Sequence, residues 1–380
     1  MTTTTQSTDP AAPVPAAPVP AGAGDGTPGR SGPTAFQKRR RRRVLLVGTA
    51  VVVAAAAAVT ALVTRSSSSA PGFTVAYGQG NVANADSVIQ TQPALVKSIK
   101  ADLRFVPFNA GVTAIAELRS GSLQAISGVG NPPVVGAIGT GTDLVVVLAQ
   151  SFDADALIVP AAVTSAAQLA GRSVGVLVGS SEDFELRGWL KLNGLSKSVK
   201  VVGFASEQAV AAAYLSGALQ GAYVQAGPEA QLLAKGGHAI TDAQKIAKLG
   251  IPGLNVVAVA KSAITKHPEV VQQYVCAEVQ ATRDFTGPRG DAYLTASAKA
   301  QGVPGALIVR ATKAFPFIPL DQQLHWLGRP GDRNSPIVRA YAQTGQFLLG
   351  QGRLTSVPSA AVLAAHVDSS FVQKALDGGC

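Results

Sequence analysis

The sequence predicts an α/β protein of two lobes, carried behind an apolar N-terminal segment, and three observations lead there. From Phe73 onward short apolar runs alternate with helical stretches. Two further apolar runs, Ala156–Val159 and Val256–Ala260, bracket the middle of that region and read as crossovers between lobes. Near the N-terminus, six consecutive basic residues abut a long stretch without a charge. Alternating strands and helices imply parallel sheets covered on both faces.

Taken in order, residues 1–43 begin as Thr, Pro, Ala and Gly with almost no large apolar side chains. Such a segment cannot bury enough surface to offset its ordering entropy, so it reads as a disordered tail. It ends in Lys38-Arg39-Arg40-Arg41-Arg42-Arg43. Val44–Val63 follows, a run that as a helix spans about 30 Å, the thickness of the hydrocarbon core. Cationic residues on one flank hold that flank in the cytoplasm and send the rest of the chain outside. An uncleaved anchor is expected from the length of the run. Val59-Thr60-Ala61 and Ser68-Ser69-Ala70 leave cleavage of a signal segment open. Residues 64–72 read as a flexible linker.

Phe73–Tyr77, Leu103–Pro107, Leu144–Ala149, Val174–Leu177, Lys200–Gly203 and Ala222–Val224 read as strands. Helical stretches lie near Ala94–Lys100, Val112–Ser120, Phe184–Leu192 and Glu207–Leu215. After His267-Pro268 the chain reads mostly helical, over Pro268–Asp284, Pro304–Ala311, Ser335–Leu349 and Ala360–Leu376. The division expected is residues 73–157 for the first part of one lobe, 158–256 for the other, and 257–376 for completion of the first.

Composition narrows the function. The 380 residues are 47% hydrophobic and 14% charged, too apolar for a fully disordered chain. The net charge of +10 suggests nucleic acid, but residues 1–43 hold seven Lys/Arg against two Asp, so half the excess sits in one tail. With 5% aromatics to stack bases, no nucleic-acid footprint is expected. Gly78-Gln79-Gly80-Asn81-Val82-Ala83 fits a dinucleotide-type turn, but Pro93 interrupts the helix such a motif needs, and the turn reads as the edge of a pocket. Gly171-Arg172-Ser173-Val174-Gly175 matches a hydrolase nucleophile pattern, but Ser173 opens a strand rather than leading into a helix. His238, His267, His325 and His366 have no helical His or Cys partner, so no metal site is expected. Cys276 reads as a small buried hydrophobe, Cys380 carries no readable chemistry, and nothing argues for a bridge between them. No cofactor is expected.

Three spots offer free backbone N–H groups just before a helix: Phe108-Asn109-Ala110-Gly111, Gly130-Asn131-Pro132-Pro133 and Gly179-Ser180-Ser181-Glu182. Helix N-termini bind anions without a cationic side chain. On consecutive strand-to-helix turns they would share one sheet edge, where open α/β sheets hold ligands.

The order of segments is also familiar. Phe105–Gly111, then Ala116–Gln124, then Gly130-Asn131-Pro132-Pro133 resembles the solute-binding proteins of ABC importers for taurine, alkanesulfonates and nitrate. Leu169–Val176, Leu215–Val224 and Lys266–Val271 continue the likeness in order, most like the taurine branch. The resemblance implies a two-lobed, type II periplasmic-binding-protein-like fold with two crossover strands, which captures a small anionic solute outside the membrane and delivers it to a permease and its ATPase. It implies binding without catalysis. With the pocket turn and the helix starts above, it gives Gln79, Asn109, Gly130, Asn131, Asp153, Ser180, Ser181, Glu182, Gln225 and Asn255 as expected ligand contacts. Two departures stand out. Gln225 replaces an aromatic of the family, and Asn255 replaces the carboxylate expected to meet taurine's ammonium. Asp153, Glu182 or Asp183 are the candidates to restore that charge. The rival readings are an enzyme of the same fold acting on a small heterocycle, and a ligand-free scaffold or signalling domain. Binding without turnover separates these from an importer component.

Overall fold

The computed structural model describes residues 70–78 and 84–380. The tail, the apolar segment Val44–Val63 and Gln79 lie outside the described residues. Among those described, no helix is long and apolar enough to cross a membrane.

Ten strands form two five-stranded sheets. The first holds β1 (Gly72–Gly78), β2 (Asp102–Phe108), β3 (Ala125–Gly130), β4 (Leu144–Phe152) and β10 (Leu254–Ala260) in the order β2-β1-β3-β10-β4. The second holds β5 (Ala156–Pro160), β6 (Ser173–Leu177), β7 (Lys200–Phe204), β8 (Gly221–Val224) and β9 (Gly237–Asp242) in the order β7-β6-β8-β5-β9. The two orders are one pattern. Three parallel strands come first, then a strand antiparallel to its neighbours that has just arrived from the other sheet, then a fifth. Strands β4, β5 and β10 read as near-continuous apolar runs because both their faces are covered.

Ala156–Val159 and Val256–Ala260 are therefore not the crossovers. Each is a full member of one sheet, and the chain changes sheet just before it, through Asp153-Ala154-Asp155 and through residues 249–253. The passage from sheet to sheet falls a few residues earlier than the apolar runs suggested, because the linking residues are polar or glycine and carry no apolar signal. Strand β3 also escaped the pattern. Its sequence Ala-Ile-Ser-Gly-Val-Gly is poor in β-formers, yet it occupies the middle of the first sheet. Ala360–Leu376 is two helices, Ala360–Ala365 and Ser370–Leu376, broken where His366 Nδ1 meets the Leu144 carbonyl at 2.6 Å and Val367 bridges to Val146.

One apolar core lies about the first sheet, and two smaller ones cover the faces of the second. The long helix Pro268–Thr286 shows how the first is built. Val270, Val271, Tyr274, Val275, Val279 and Ala281 are buried along one stripe, each large apolar side chain contributing about 1.5–3 kcal/mol. Cys276 and Cys380 form a disulfide, contrary to the sequence reading, with Cα atoms 5.8 Å apart. Cys276 is only half-buried, and the terminal helix Ser370–Leu376, packed on the long helix, brings Cys380 to it.

Candidate binding site

A cavity of about 220 Å³ opens where the two sheets face each other across the crossovers. Strand ends supply its floor: Gly78 of β1, Phe108 of β2, Gly128 of β3, Leu148–Ser151 of β4 and Asn255 of β10. The first crossover adds Asp153, Ala154 and Asp155, and the second lobe adds Glu207, Gln208 and Gln225.

The floor is held by a buried polar network. The Tyr274 hydroxyl lies 2.7 Å from Asp86 Oδ1 and 2.8 Å from Glu278 Oε1. A phenol donates one proton, so one of these carboxyls must itself be protonated and donate. Burial pushes both carboxyls up, and the charge of each opposes ionisation of the other or is relieved by a bond between them. Gln150 Nε2 then donates to Glu278 Oε2 at 3.2 Å and to Ser127 Oγ at 2.8 Å, while its Oε1 accepts from Gly128 N–H. The cavity lining is thus fixed by side chains on four different elements.

Carboxylates crowd the other side. Asp153, Asp155, Glu182, Glu185 and Glu207 are all buried. Burial pushes Asp153 up to about 7 and Glu207 up to about 8, with the Glu182 charge adding to each. Burial and then the neighbouring carboxylates push Asp155 well above the usual range, and burial and Asp153 do the same for Glu185. Glu185 is engaged on both oxygens, by Gly253 N–H and by the Tyr223 hydroxyl at 2.7 Å. Gly253 must lack a side chain, since a Cβ there would overlap Asp153 Oδ2 and Glu185 Oε1. Carboxylate oxygens of Asp153, Asp155 and Glu185 lie within 4.8 Å of one another, the one group among the described residues with the spacing of a metal site.

Of the expected contacts, Asn109, Asp153, Gln225 and Asn255 line this cavity. Asn255 Nδ2 donates to Asp153 Oδ1 at 2.6 Å and to Ser151 Oγ at 3.3 Å. Gln225 Nε2 donates to Glu182 Oε1 at 2.7 Å, so Glu182 sits behind Gln225 rather than on the cavity. Gly130, Asn131, Ser180 and Ser181 also lie off it. The Asn131 side chain is fully buried and serves the second crossover, donating to the Pro252 carbonyl and accepting from Leu254 N–H at 2.9 Å. Ser180 caps its own helix, accepting from Asp183 N–H, and the Ser181 hydroxyl packs against Gly130. Asp183 pairs with Arg187 at 2.6 Å and does not face the cavity. The three helix starts do not share one sheet edge. Those after Phe108 and Gly130 follow strands of the first sheet, and that at Ser181 follows β6 of the second.

Sequence reasoning missed Asp155 and Glu207, and it missed a wall of Phe108, Phe285, Phe315 and Phe317. Phe285 packs edge to face on Phe317 with ring centroids 5.1 Å apart, and Phe315 lies tilted against Phe317 at 5.0 Å. The aromatic surface absent at Gln225 is supplied from the first lobe instead. The Phe315-Pro316-Phe317 run, set in an otherwise helical region, was the available signal.

Two α/β lobes of matching strand order, joined by two short crossovers beside a cavity, define a two-lobed periplasmic-binding-protein-like fold. The chain belongs to the NMT1-like family, whose model matches residues 71–298. It is 27% identical over 314 residues to the taurine-binding periplasmic protein of Escherichia coli K12, covering 80% of this chain and 94% of that protein. Its fold matches the periplasmic aliphatic sulphonate binding protein SsuA from Escherichia coli with a TM-score of 0.63 at 18% identity, over 77% of this chain and 91% of the other. It also matches the desulfurization enzyme DSZB with a TM-score of 0.56 at 18% identity, over 81% and 100%.

Proposed function

We propose that this chain is the extracytoplasmic solute-binding component of an ABC importer, and that its solute is a small sulfonate such as taurine or a related molecule. The observation that carries the reading is the cavity between two like lobes, lined by residues of both and of the first crossover. Short crossovers let such lobes close on a solute, and the solute then shifts the population toward the closed form that a permease recognises. Relatives that bind taurine and sulphonates support the choice of solute. The lobes are divided at Asp153–Asp155 and at residues 249–253, in place of the boundaries after residues 157 and 256. Val44–Val63 with its basic flank serves to export or anchor the chain, and the permease and ATPase are its partners.

The test is calorimetric titration of the full-length chain with taurine, ethanesulfonate and nitrate, with the solute recovered and checked for chemical change. Saturable binding of unchanged solute is expected. Turnover would replace the importer reading with an enzyme, and no binding by any solute would remove it. A reporter active only in the cytoplasm, fused after Gly379, is expected to be silent.

A further inference from the structure

Three carboxylate oxygens of cavity-lining residues have nothing to bind, Asp153 Oδ2 among them. Asp155 Oδ2 and Glu207 Oε1 accept no hydrogen bond, although the residues are 4% and 8% exposed and both line the cavity. The other oxygen of Glu207 is held by Gln225 N–H at 3.0 Å, which fixes the orientation of the free one. Buried polar atoms are ordinarily paired, and leaving a carboxylate oxygen unpaired costs more than leaving a neutral one. Among the described residues that line the cavity there is no Lys, Arg or His, while Asp153, Asp155 and Glu207 all do. The undescribed residues 79–83 contain no cationic side chain either. Arg187, the nearest cation in sequence to the acidic helix start, is already committed to Asp183.

A solute that is only an anion would meet carboxyl groups and no fixed cation to receive it, whereas a cation favours their ionised form. A solute with a cationic group would satisfy the free oxygens of Asp155 and Glu207. The lining also includes Phe108, Phe285, Phe315 and Phe317, whose faces attract a cation and accept an apolar body.

We propose that the solute carries an ammonium or amidinium group, seated against Asp155 and Glu207, with its apolar body against the phenylalanine wall. The proposal rests on the solute-binding reading and narrows its substrate class. An aminosulfonate qualifies; a plain alkanesulfonate or nitrate does not. A metal ion at Asp153, Asp155 and Glu185 is the competing occupant. Glu185 has both oxygens engaged and Asp153 Oδ1 is held by Asn255, which leaves Asp153 Oδ2 and the Asp155 carboxylate to an ion, and an ion there would leave the aromatic part of the cavity empty.

The experiment measures melting temperature and calorimetric affinity of the full-length chain with four organic probes: taurine, ethanesulfonate, 2-phenylethylamine and 3-phenylpropionate. Magnesium, calcium and zinc chlorides are run alone. The amine-bearing probes are expected to bind at least tenfold more tightly than their anion-only counterparts. Glu207→Gln and Asp155→Asn are expected to weaken amine binding roughly ten- to hundredfold, the loss of one charge-assisted hydrogen bond. They are also expected to leave the solute-free melting temperature equal to or above that of the parent, because each removes a buried, unpaired carboxylate. A structural carboxylate would give the opposite sign, which separates loss of binding from loss of fold. Ethanesulfonate binding as tightly as taurine, amine affinity unmoved by both substitutions, or stabilisation by a metal chloride alone overturns the proposal and leaves the importer reading intact. Silence from every probe takes down both.

Discussion

Asn255 shows what a single amide does in this site. It sits in β10 opposite Gly130 on one side and Ser151 on the other, so its side chain emerges where the first sheet meets the crossover. Its amide hydrogens go to Asp153 Oδ1 and Ser151 Oγ. A neutral donor is what the crowded carboxylates require, since a second acid here would face Asp153 directly. Asn255→Asp is therefore expected to destabilise the solute-free chain by about 1.5–3 kcal/mol, the value of a hydrogen bond to a charged group. Urea unfolding at pH 8 and pH 5 checks it, and the loss should be larger at pH 8, where both carboxyls tend to ionise. An unchanged midpoint at both pH values would show that the Asn255–Asp153 bond carries no stability.

At the scale of elements, the helix Ser181–Leu192 and the helix Pro268–Thr286 solve opposite problems. The first gathers Glu182, Asp183 and Glu185 in and beside its first turn, where the helix dipole favours negative charge, and so points acidic groups toward the crossovers. The second carries most of its buried side chains on one stripe and receives the C-terminus. Its Cys276 is bonded to Cys380 across 104 residues of sequence. A crosslink closing so long a loop restricts the unfolded chain, which is worth about 2–4 kcal/mol in typical cases. Cys380→Ser should lower stability by about that amount under oxidising conditions and make no difference in the presence of reductant. Faster amide exchange over Ser370–Leu376 should accompany it. Equal stability with and without reductant in the parent would show that the bridge is not formed.

Over the whole molecule, the buried acids couple stability to pH. Asp153 near 7 and Glu207 near 8 hold their protons in the folded chain at pH values where the unfolded chain has released them. Stability from these groups is full below the ordinary carboxylate range, near pH 4, and is lost as pH rises through 7 to 8. The solute-free melting temperature should therefore fall between pH 5 and pH 8.5. A bound cationic solute should recover part of the loss at the upper end, since it stabilises the ionised carboxylates. A flat profile, or one that rises with pH, would contradict the arrangement described. The Asp86–Glu278 pair adds to the same trend, because burial raises both carboxyls.

The sequence by itself determined the α/β alternation, most strands of the parallel portions and the long amphipathic helices, because apolar periodicity is a local record of which face each element buries. It also carried the likeness to sulfonate-binding proteins, and placed Asn109, Asp153, Gln225 and Asn255, which line the cavity. Only the tertiary structure decided the rest. Asn131 looked like a ligand donor and proved to be occupied by the backbone of Pro252 and Leu254, residues far away in sequence. Asp155 and Glu207 carried no signal in the sequence, and their burial arises only when two lobes and a crossover converge. The bond between Cys276 and Cys380 depends on the terminal helix packing back onto the long one. Glycine-poor apolar runs announce themselves locally, whereas a polar group's partner is set by what the fold brings opposite it, which no spacing along the chain records.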